Sequence, residues 1–457
     1  MSSEKIKELP AQKKEKPLAT RILLFSLPLV LSNILQVLFH MADVAVVGRF
    51  SGHIALGAVG STAIAVTLFI GFIIGTSGGV NALVARYIGA KNREELVRTV
   101  HSSAIILLMV GVIIMLFGIF GSRWLLELLG TKEDLIDKAT IYMQIFFLGM
   151  PATAIFNFGN AVFSATGDTK KPLIFLSLSG VLNVVLNLFF VLVVGIDVEG
   201  VALASAISPY LSAFLTMLSL LRCHKDHGLR LRYLKLTAKN VKEILSLGIP
   251  SGIQHAIFYV ANLFIQAGIN TFDTITVAGI SAATNADGLV FDVMAAFYTA
   301  TSSFTGRSYG ERDKKSIKKI YFITLGYSFG IGALMGWSLV ACGPWFLSIF
   351  TKDPAVIAEG MKRLFIMGLS YPISAFMDNA IATLRGIGKS VISAVIVIMG
   401  SCVFRIIWMY TVFAYFGTIE SLYLLYICSW LLTAFFETLY FIICYKKLLI
   451  EKEPSVS

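Results

Sequence analysis

From about residue 20 onward the chain alternates long apolar runs with short polar stretches. Runs of about 20 residues with few charges have the length a helix needs to cross a bilayer. The pattern predicts twelve helices, near residues 20–47, 54–78, 97–121, 138–163, 172–194, 199–221, 243–269, 276–301, 318–341, 356–383, 390–415 and 420–445. The runs are continuous, unlike the short alternating segments of a membrane barrel. Lipid offers backbone polar groups no partner, so helices that bond internally are the remaining choice. The predicted fold is all-α, a polytopic membrane protein with 12 transmembrane helices.

The pattern also repeats. Pro28 in SLPLVLSNILQ matches Pro250 in GIPSGIQHAIF, and Gly57 matches Gly279, each 222 positions on. Gly89 matches Gly310, Pro151 matches Pro372 and Gly167 matches Gly388, each 221 on, and Thr131-Lys132 matches Thr351-Lys352, 220 on. Six anchors in order at one offset define two six-helix lobes. Six is even, so both lobes start on the same membrane side, a parallel repeat about an axis along the membrane normal. The expected organisation is an N-terminal segment 1–19, an N-lobe 20–221, a linker 222–242, a C-lobe 243–446 and a tail 447–457.

Composition agrees with a chain that mostly avoids water. It is 56% hydrophobic and 14% charged, against roughly 25% charged in soluble proteins. The net charge of +11 is set by position. Lys and Arg crowd alternate connections: Lys5, Lys7, Lys13, Lys14 and Lys16, the 86–98 loop, Lys170-Lys171, the 222–242 linker, the 307–319 loop, Arg385 with Lys389, and the tail. The opposite connections carry few basic residues, among them Arg49, Arg123, Lys132 and Lys352. Positive-inside bias makes both termini cytoplasmic. The surplus charge then meets anionic lipid and not nucleic acid. The polar, lysine-rich start and the long first apolar run do not fit a cleavable leader. The five cysteines show no paired or metal-ligand spacing.

A two-lobed bundle of this kind points to a secondary transporter. No Walker A or HExxH pattern occurs, so neither ATP as the energy source nor a membrane enzyme is expected. No cofactor beyond a coupling ion is expected either.

The polar residues inside predicted helices are the candidate chemistry. Asp43 closes the first helix, with His40 and Gln36 on its face at i−3 and i−7. A carboxylate at helix depth costs about 2.5–3.5 kcal/mol on insertion scales. It either lines a cavity and receives a cation, or is a helix-end charge beside Arg49. Asn183 and Asn187, at i and i+4, share one helix face. They either bond neighbouring helices or offer carbonyl oxygens to Na⁺, a hard cation. In the C-lobe, Asp287 and Asp292 are five apart and cannot form one chelating face, though either could line a cavity. Asp378 falls 221 after Asn157, so both halves place a polar group at one depth. Gln254, His255, Asn262 and Gln266 mark helix 7, and Asp378 could instead pair with Gln254, His255 or Asn262, or with Arg385. Pro28, Pro151, Pro250 and Pro372 are either fixed kinks or hinges.

Several motifs in this order carry a resemblance to a known family. They are Pro28…Gln36…Asp43 running into VGRFSG, then ALVARYIGAKN, SATGDTKKP, NVVLN, GVALASAIS, FTGRSYGERD and LRGIGKS. Over roughly residues 20–447 the chain resembles the multidrug and toxic compound extrusion (MATE) family of cation-coupled exporters. The resemblance implies a V-shaped pair of lobes and antiport of amphipathic or cationic drugs against Na⁺ or H⁺. It implies coupling at Asp43 with Asn183, Asn187, Ser208 and the carbonyl of Ala204, with Ser205 a rival to Ser208, and a possible Na⁺ on Asp43, Asn183 and Asn187. Many prokaryotic members carry an acid at the Asn187 position and some carry one on helix 7; this chain has neither. A substrate cavity lined by Gln36, His40, Asn157, Gln254, His255, Asp287, Asp292 and Asp378 is expected. So are an inner-membrane location, a monomer, and small-molecule drugs and the bilayer as partners. A lipid-linked saccharide flippase of the same superfamily is the alternative. It would need Arg or Lys inside its cavity, whereas nearly all basic residues here are expected in loops.

Overall fold

The computed structural model describes residues 16–50 and 52–450. The lysines Lys5, Lys7, Lys13 and Lys14, and Lys452 in the tail, lie outside the described residues. Among the described residues every regular element is helical. The N-lobe comprises α1 (Leu18–Phe50), α2 (Gly52–Gly89), α3 (Arg93–Leu128), α4 (Glu133–Phe147), α5 (Met150–Thr166), α6 (Lys170–Leu188) and α7 (Val198–Leu221). The C-lobe comprises α8 (Ala238–Ile269), α9 (Thr274–Gly310), α10 (Lys314–Ala341), the short α11 (Gly343–Ser348), α12 (Pro354–Gly386), α13 (Ser390–Val397), α14 (Phe404–Trp408), α15 (Ala414–Phe416) and α16 (Ile419–Ile450).

Ten helical stretches are long and apolar enough to cross a membrane, and the α4–α5 pair, bent by 45°, makes an eleventh. The twelfth rod is α9. It is 37 residues long but carries Thr284, Asn285, Asp287, Asp292, Thr301, Ser302 and Ser303. It affords this polarity because it packs against α1, α2, α10 and α12. The break before α5 falls at Leu148-Gly149, ahead of Pro151 at the first helical positions, so that proline starts a helix and does not kink one. Pro28, Pro250 and Pro372 do sit inside continuous helices. The second and third helices run well past their apolar cores, to Gly89 and from Arg93, so most of the expected 86–98 loop is helical.

The lobes meet where α2 touches α8 and α9. Small residues let these backbones touch, the usual device where lipid removes any hydrophobic push between helices. A Cβ on Gly75 would fall 2.3 Å from the Ser251 carbonyl oxygen. The contacts are reciprocal about the repeat axis: Gly89 lies on the carbonyl of Arg307, and Gly310 on that of Arg86. Ser303 donates to Asn81 Oδ1 at 2.8 Å, and these two positions are themselves 222 apart. All these contacts lie toward the end of the bundle that bears the lysine-rich connections.

The first helix of each lobe also packs on the other lobe. The N-terminal half of α1 packs Ile22, Phe25 and Leu29 onto Ala296, Ala300 and Ile320 of the C-lobe, and Asn33 donates to the Asp292 carbonyl at 2.6 Å. Its C-terminal half turns back onto α6 and α7. Pro28 lies in the first of these halves. Its repeat partner α8, with Pro250, likewise lays its first half on α2.

Adding a branched side chain to the seam tests its role. Gly75→Leu overpacks it at a cost of about 1–3 kcal/mol, enough for a severalfold to hundredfold shift away from the closed seam. Spin labels at Glu94 and Lys315, symmetry-related positions beside it, should move apart in the variant. An unchanged distance distribution would show that the seam does not hold this state.

Candidate functional site

Asp43 sits on the C-terminal half of α1, part-buried between α6 and α7. The approach is set by Gly180 of α6, against which the Phe39 ring packs so closely that any Cβ there would overlap it. Four residues later on α1 comes Asp43, and three and seven later on α6 come Asn183 and Asn187. Asn187 Nδ2 donates to Asp43 Oδ1, and Ser205 Oγ of α7 donates to Asp43 Oδ2 at 3.1 Å. Asn187 Nδ2 also reaches Asn183 Oδ1 at 3.2 Å, and Asn183 Nδ2 reaches Ser205 Oγ at 3.4 Å.

Among the described residues no cation pairs with this carboxylate; Arg49 lies instead over the Phe50 ring, 5.9 Å from its centroid. Hydrogen bonds to a charged group contribute about 1.5–3 kcal/mol each. Two of them offset the insertion cost of one carboxylate without neutralising it. The oxygen Asn187 Oδ1 is buried with no partner. One carboxylate, two amide oxygens and a hydroxyl form an oxygen-only set, which suits a hard monovalent cation or a proton on Asp43. Immediately after Asn187 the α6 rod loosens into a π-helical turn, Phe189–Val194, a feature frequent at functional sites.

The structure therefore brings together Asp43, Asn183, Asn187 and Ser205. Ser208 and Ala204 turn away: the Ser208 hydroxyl donates to the Ala204 carbonyl at 2.6 Å within α7. Ser205, the rival, holds the place. Gln36 and His40 are exposed on the same stripe of α1. Asn157 donates back to Thr153 in its own helix at 2.9 Å. Gln254 is buried, and His255 stands edge-on to Tyr298, with ring centroids 6.2 Å apart. Asp292 is part-buried beside the α1 contact, and Asp378 is part-buried on α12. Asp287 is committed to an ion pair: Arg363 Nη2 donates to its Oδ2 and the Tyr371 hydroxyl to its Oδ1.

The expectation that basic residues stay in loops needs correction. Arg363, Arg385 and Arg405 are each 3% exposed within C-lobe helices. Arg385 was expected in a connection with Lys389, but α12 continues to Gly386 and carries it inside, over the Tyr298 ring. Arg405 stands alone in an apolar run, the same signal that marks Asp43, whereas Arg363 directly follows Lys362 and reads as a helix-end charge. The ground on which a flippase was set aside is thereby removed.

A two-lobed helical membrane bundle built from an internal repeat is an organisation found among membrane transporters. Comparison with known proteins is specific. The MatE family model matches twice, over residues 28–189 and 250–411, one copy per lobe and 222 positions apart. The chain belongs to the MatE family, a family of multi-span membrane transporters. It is similar to the probable multidrug resistance protein YoeA of Bacillus subtilis, 28% identical over 83% of this chain and 84% of that one. It is similar also to the probable multidrug resistance protein NorM of Thermotoga maritima, 24% identical over 84% and 82%. A solved structure described as the outward-facing conformation of a multidrug resistance MATE family transporter superposes with a TM-score of 0.87 at 22% identity, covering 94% of this chain and 96% of that one; at that identity it establishes the fold.

The oxygen set can be probed by carbodiimide labelling of Asp43, read by mass spectrometry. Na⁺ should protect the wild type. Asn187→Leu, similar in volume but without its oxygen, should raise the Na⁺ concentration for half-protection at least tenfold. Equal protection of both proteins would remove Asn187 from the ligand set.

Proposed function

We propose that this protein is a secondary active multidrug exporter of the inner membrane, with both termini cytoplasmic. It antiports amphipathic or cationic small molecules against Na⁺ or H⁺ by alternating access. The observation that carries the proposal is the Asp43 carboxylate, held by neutral donors alone on an N-lobe helix whose other half is fastened to the C-lobe.

In the proposed cycle a cation or proton enters from outside and occupies Asp43. Charge neutralisation changes which donors the group needs: a protonated carboxyl becomes a donor itself, and a bound Na⁺ draws the Asn183 and Asn187 oxygens inward. Asn187 must then turn its Nδ2 away from Asp43. Either change reseats the C-terminal half of α1 on α6. Pro28 lacks a backbone N–H and weakens α1 where it must bend, so the displacement reaches the half that packs on Ala296 and Ala300. The ion drives the change only to the extent that it binds the two states unequally. Gln36 and His40, exposed on one stripe of α1, meet the departing substrate in this cycle. The proposed organisation keeps residues 20–221 and 243–446 as the moving lobes and 222–242 as their tether. Consistent with this, the tether is docked onto α3 by several contacts, among them Arg230 N–H on His101 Nε2 at 2.9 Å, the Ser102 hydroxyl on the Lys235 carbonyl at 3.0 Å and the Arg93–Asp226 ion pair at 2.7 Å.

The test is efflux of a fluorescent cation such as ethidium from proteoliposomes, with Na⁺ and proton gradients imposed one at a time. One gradient should drive efflux in the wild type. Asp43→Asn should lose at least 90% of that component while eluting and melting like the parent. Unchanged gradient-driven efflux in the variant would exclude Asp43 from coupling.

A further inference from the structure

The repeat relates the Asp43 site to a place in the C-lobe, and the chemistry found there has the opposite sign. With the offsets of 221 and 222, Gln36 corresponds to Phe258, His40 to Asn262, Tyr142 to Arg363, Val184 to Arg405 and Ser205 to Tyr426. In the N-lobe, Tyr142 packs in one cluster with Val46 and Val47 of α1. Its C-lobe counterpart is a guanidinium.

These residues meet in space. The Tyr426 ring has Arg405 4.8 Å and Arg363 5.4 Å from its centroid. Arg405 Nε donates to Ser429 Oγ at 3.1 Å, and its Nη1 to Asn262 Oδ1 at 3.3 Å. Phe258 lies 5.9 Å from the same guanidinium. The carboxylate paired with this group, Asp287, is held by Arg363 and Tyr371, and no carboxylate among the described residues pairs with Arg405. The cluster thus holds two guanidiniums and one carboxylate. Arg363 Nε and Nη1 are buried with no hydrogen-bond partner. A buried charge is retained only when something pairs with it. Unlike Arg405, Asn262 is exposed, on the face of α8 that repeats the Gln36–His40 stripe of α1, so the cluster reaches the surface there. Two π-helical turns, Ile398–Val403 and Met409–Phe413, bracket the five-residue α14 that carries Arg405.

We propose that Arg405 and Arg363, with Tyr426 and Asn262, form an anion-binding subsite in the C-lobe that receives a carboxylate or phosphate group of the transported molecule. Guanidinium forks match both groups bidentately, and the flanking Phe258 and Tyr426 rings accept an adjoining apolar body. The substrate class therefore includes amphiphiles bearing an acid. The proposal rests on the transporter assignment only in making the bound anion cargo; binding itself needs no gradient.

The full-length protein in nanodiscs is titrated with benzoate and, separately, inorganic phosphate, at constant Na⁺ and pH, following tryptophan fluorescence. Trp430, whose ring centroid is 6.0 Å from that of Tyr426, is the reporter. Saturable binding is expected, weakened at least tenfold in Arg405→Gln, largely kept in Arg405→Lys and unchanged in Asp43→Asn. Benzoate binding alone assigns a carboxylate ligand; binding of phosphate as well assigns both. Asn262→Asp, at an exposed position, supplies an internal counter-ion and should abolish binding even if Arg405→Gln fails to fold. No saturable binding of either anion by the wild type, or undiminished binding by Asn262→Asp, overturns the proposal. Loss of coupling in Asp43→Asn with anion binding intact separates this subsite from the coupling assignment.

Discussion

One carboxylate without a resident counter-ion organises the N-lobe. Asp43 is placed in a bilayer-depth helix, where insertion costs about 2.5–3.5 kcal/mol, and is given hydrogen bonds from Asn187 and Ser205 but no cation. The surroundings are built to make this possible. Gly180 lets the Phe39 ring seat α1 on α6, and the i, i+4 spacing of Asn183 and Asn187 aims both amides at one point. A resident arginine would stabilise the acid further and end its usefulness, because an ion could no longer alter the balance. Incomplete compensation is what leaves room for a visiting charge.

The same carboxylate has reach because of where α1 goes. Its two halves are packed in different lobes, so a change of seat at Asp43 is a change in the relation between lobes. The seam opposite is made of glycine and backbone contacts, and such contacts cost little to separate. A side-chain lattice of large residues would have given a stronger seam and a slower switch. The fold thus joins a specific polar site at one level to a glycine and backbone contact at another, the combination that the proposed alternating access needs.

Most of the fold was legible before any coordinates because bilayer physics leaves few choices: length, apolarity and the even-numbered repeat dictated twelve helices in two lobes. What was not legible came from packing. The polarity of α9 reads as a weak span until its neighbours cover it. The extension of α2 to Gly89 and α12 to Gly386 puts residues expected in loops onto helices, because interlobe contacts, not lipid, set those ends. Asp43, Asn183 and Asn187 could be read as a group because helical spacing places the two amides on one face and the acid is conspicuous. The choice between Ser205 and Ser208 could not, since it depends on the roll of α7 by a fraction of a turn. Asp287 looked like Asp43 in the sequence; only the fold reveals that Arg363, 76 residues away, already neutralises it.

That contrast bears on what a duplicated fold does with its second copy. The two lobes share offsets, proline positions and the path of the first helix. If both had kept an acid at the equivalent place, two uncompensated negative sites would flank one cleft and the chain would have to bind two cations to reach neutrality. Instead the C-lobe pairs Asp287 with Arg363 and sets Arg405 beside it, so the surplus at that cluster is positive. The two equivalent places thus carry local surpluses of opposite sign, and each is left without a counter-ion of its own. A site that lacks a counter-ion locally still has to find one, and the repeat has arranged that the two lobes must look for partners of opposite sign.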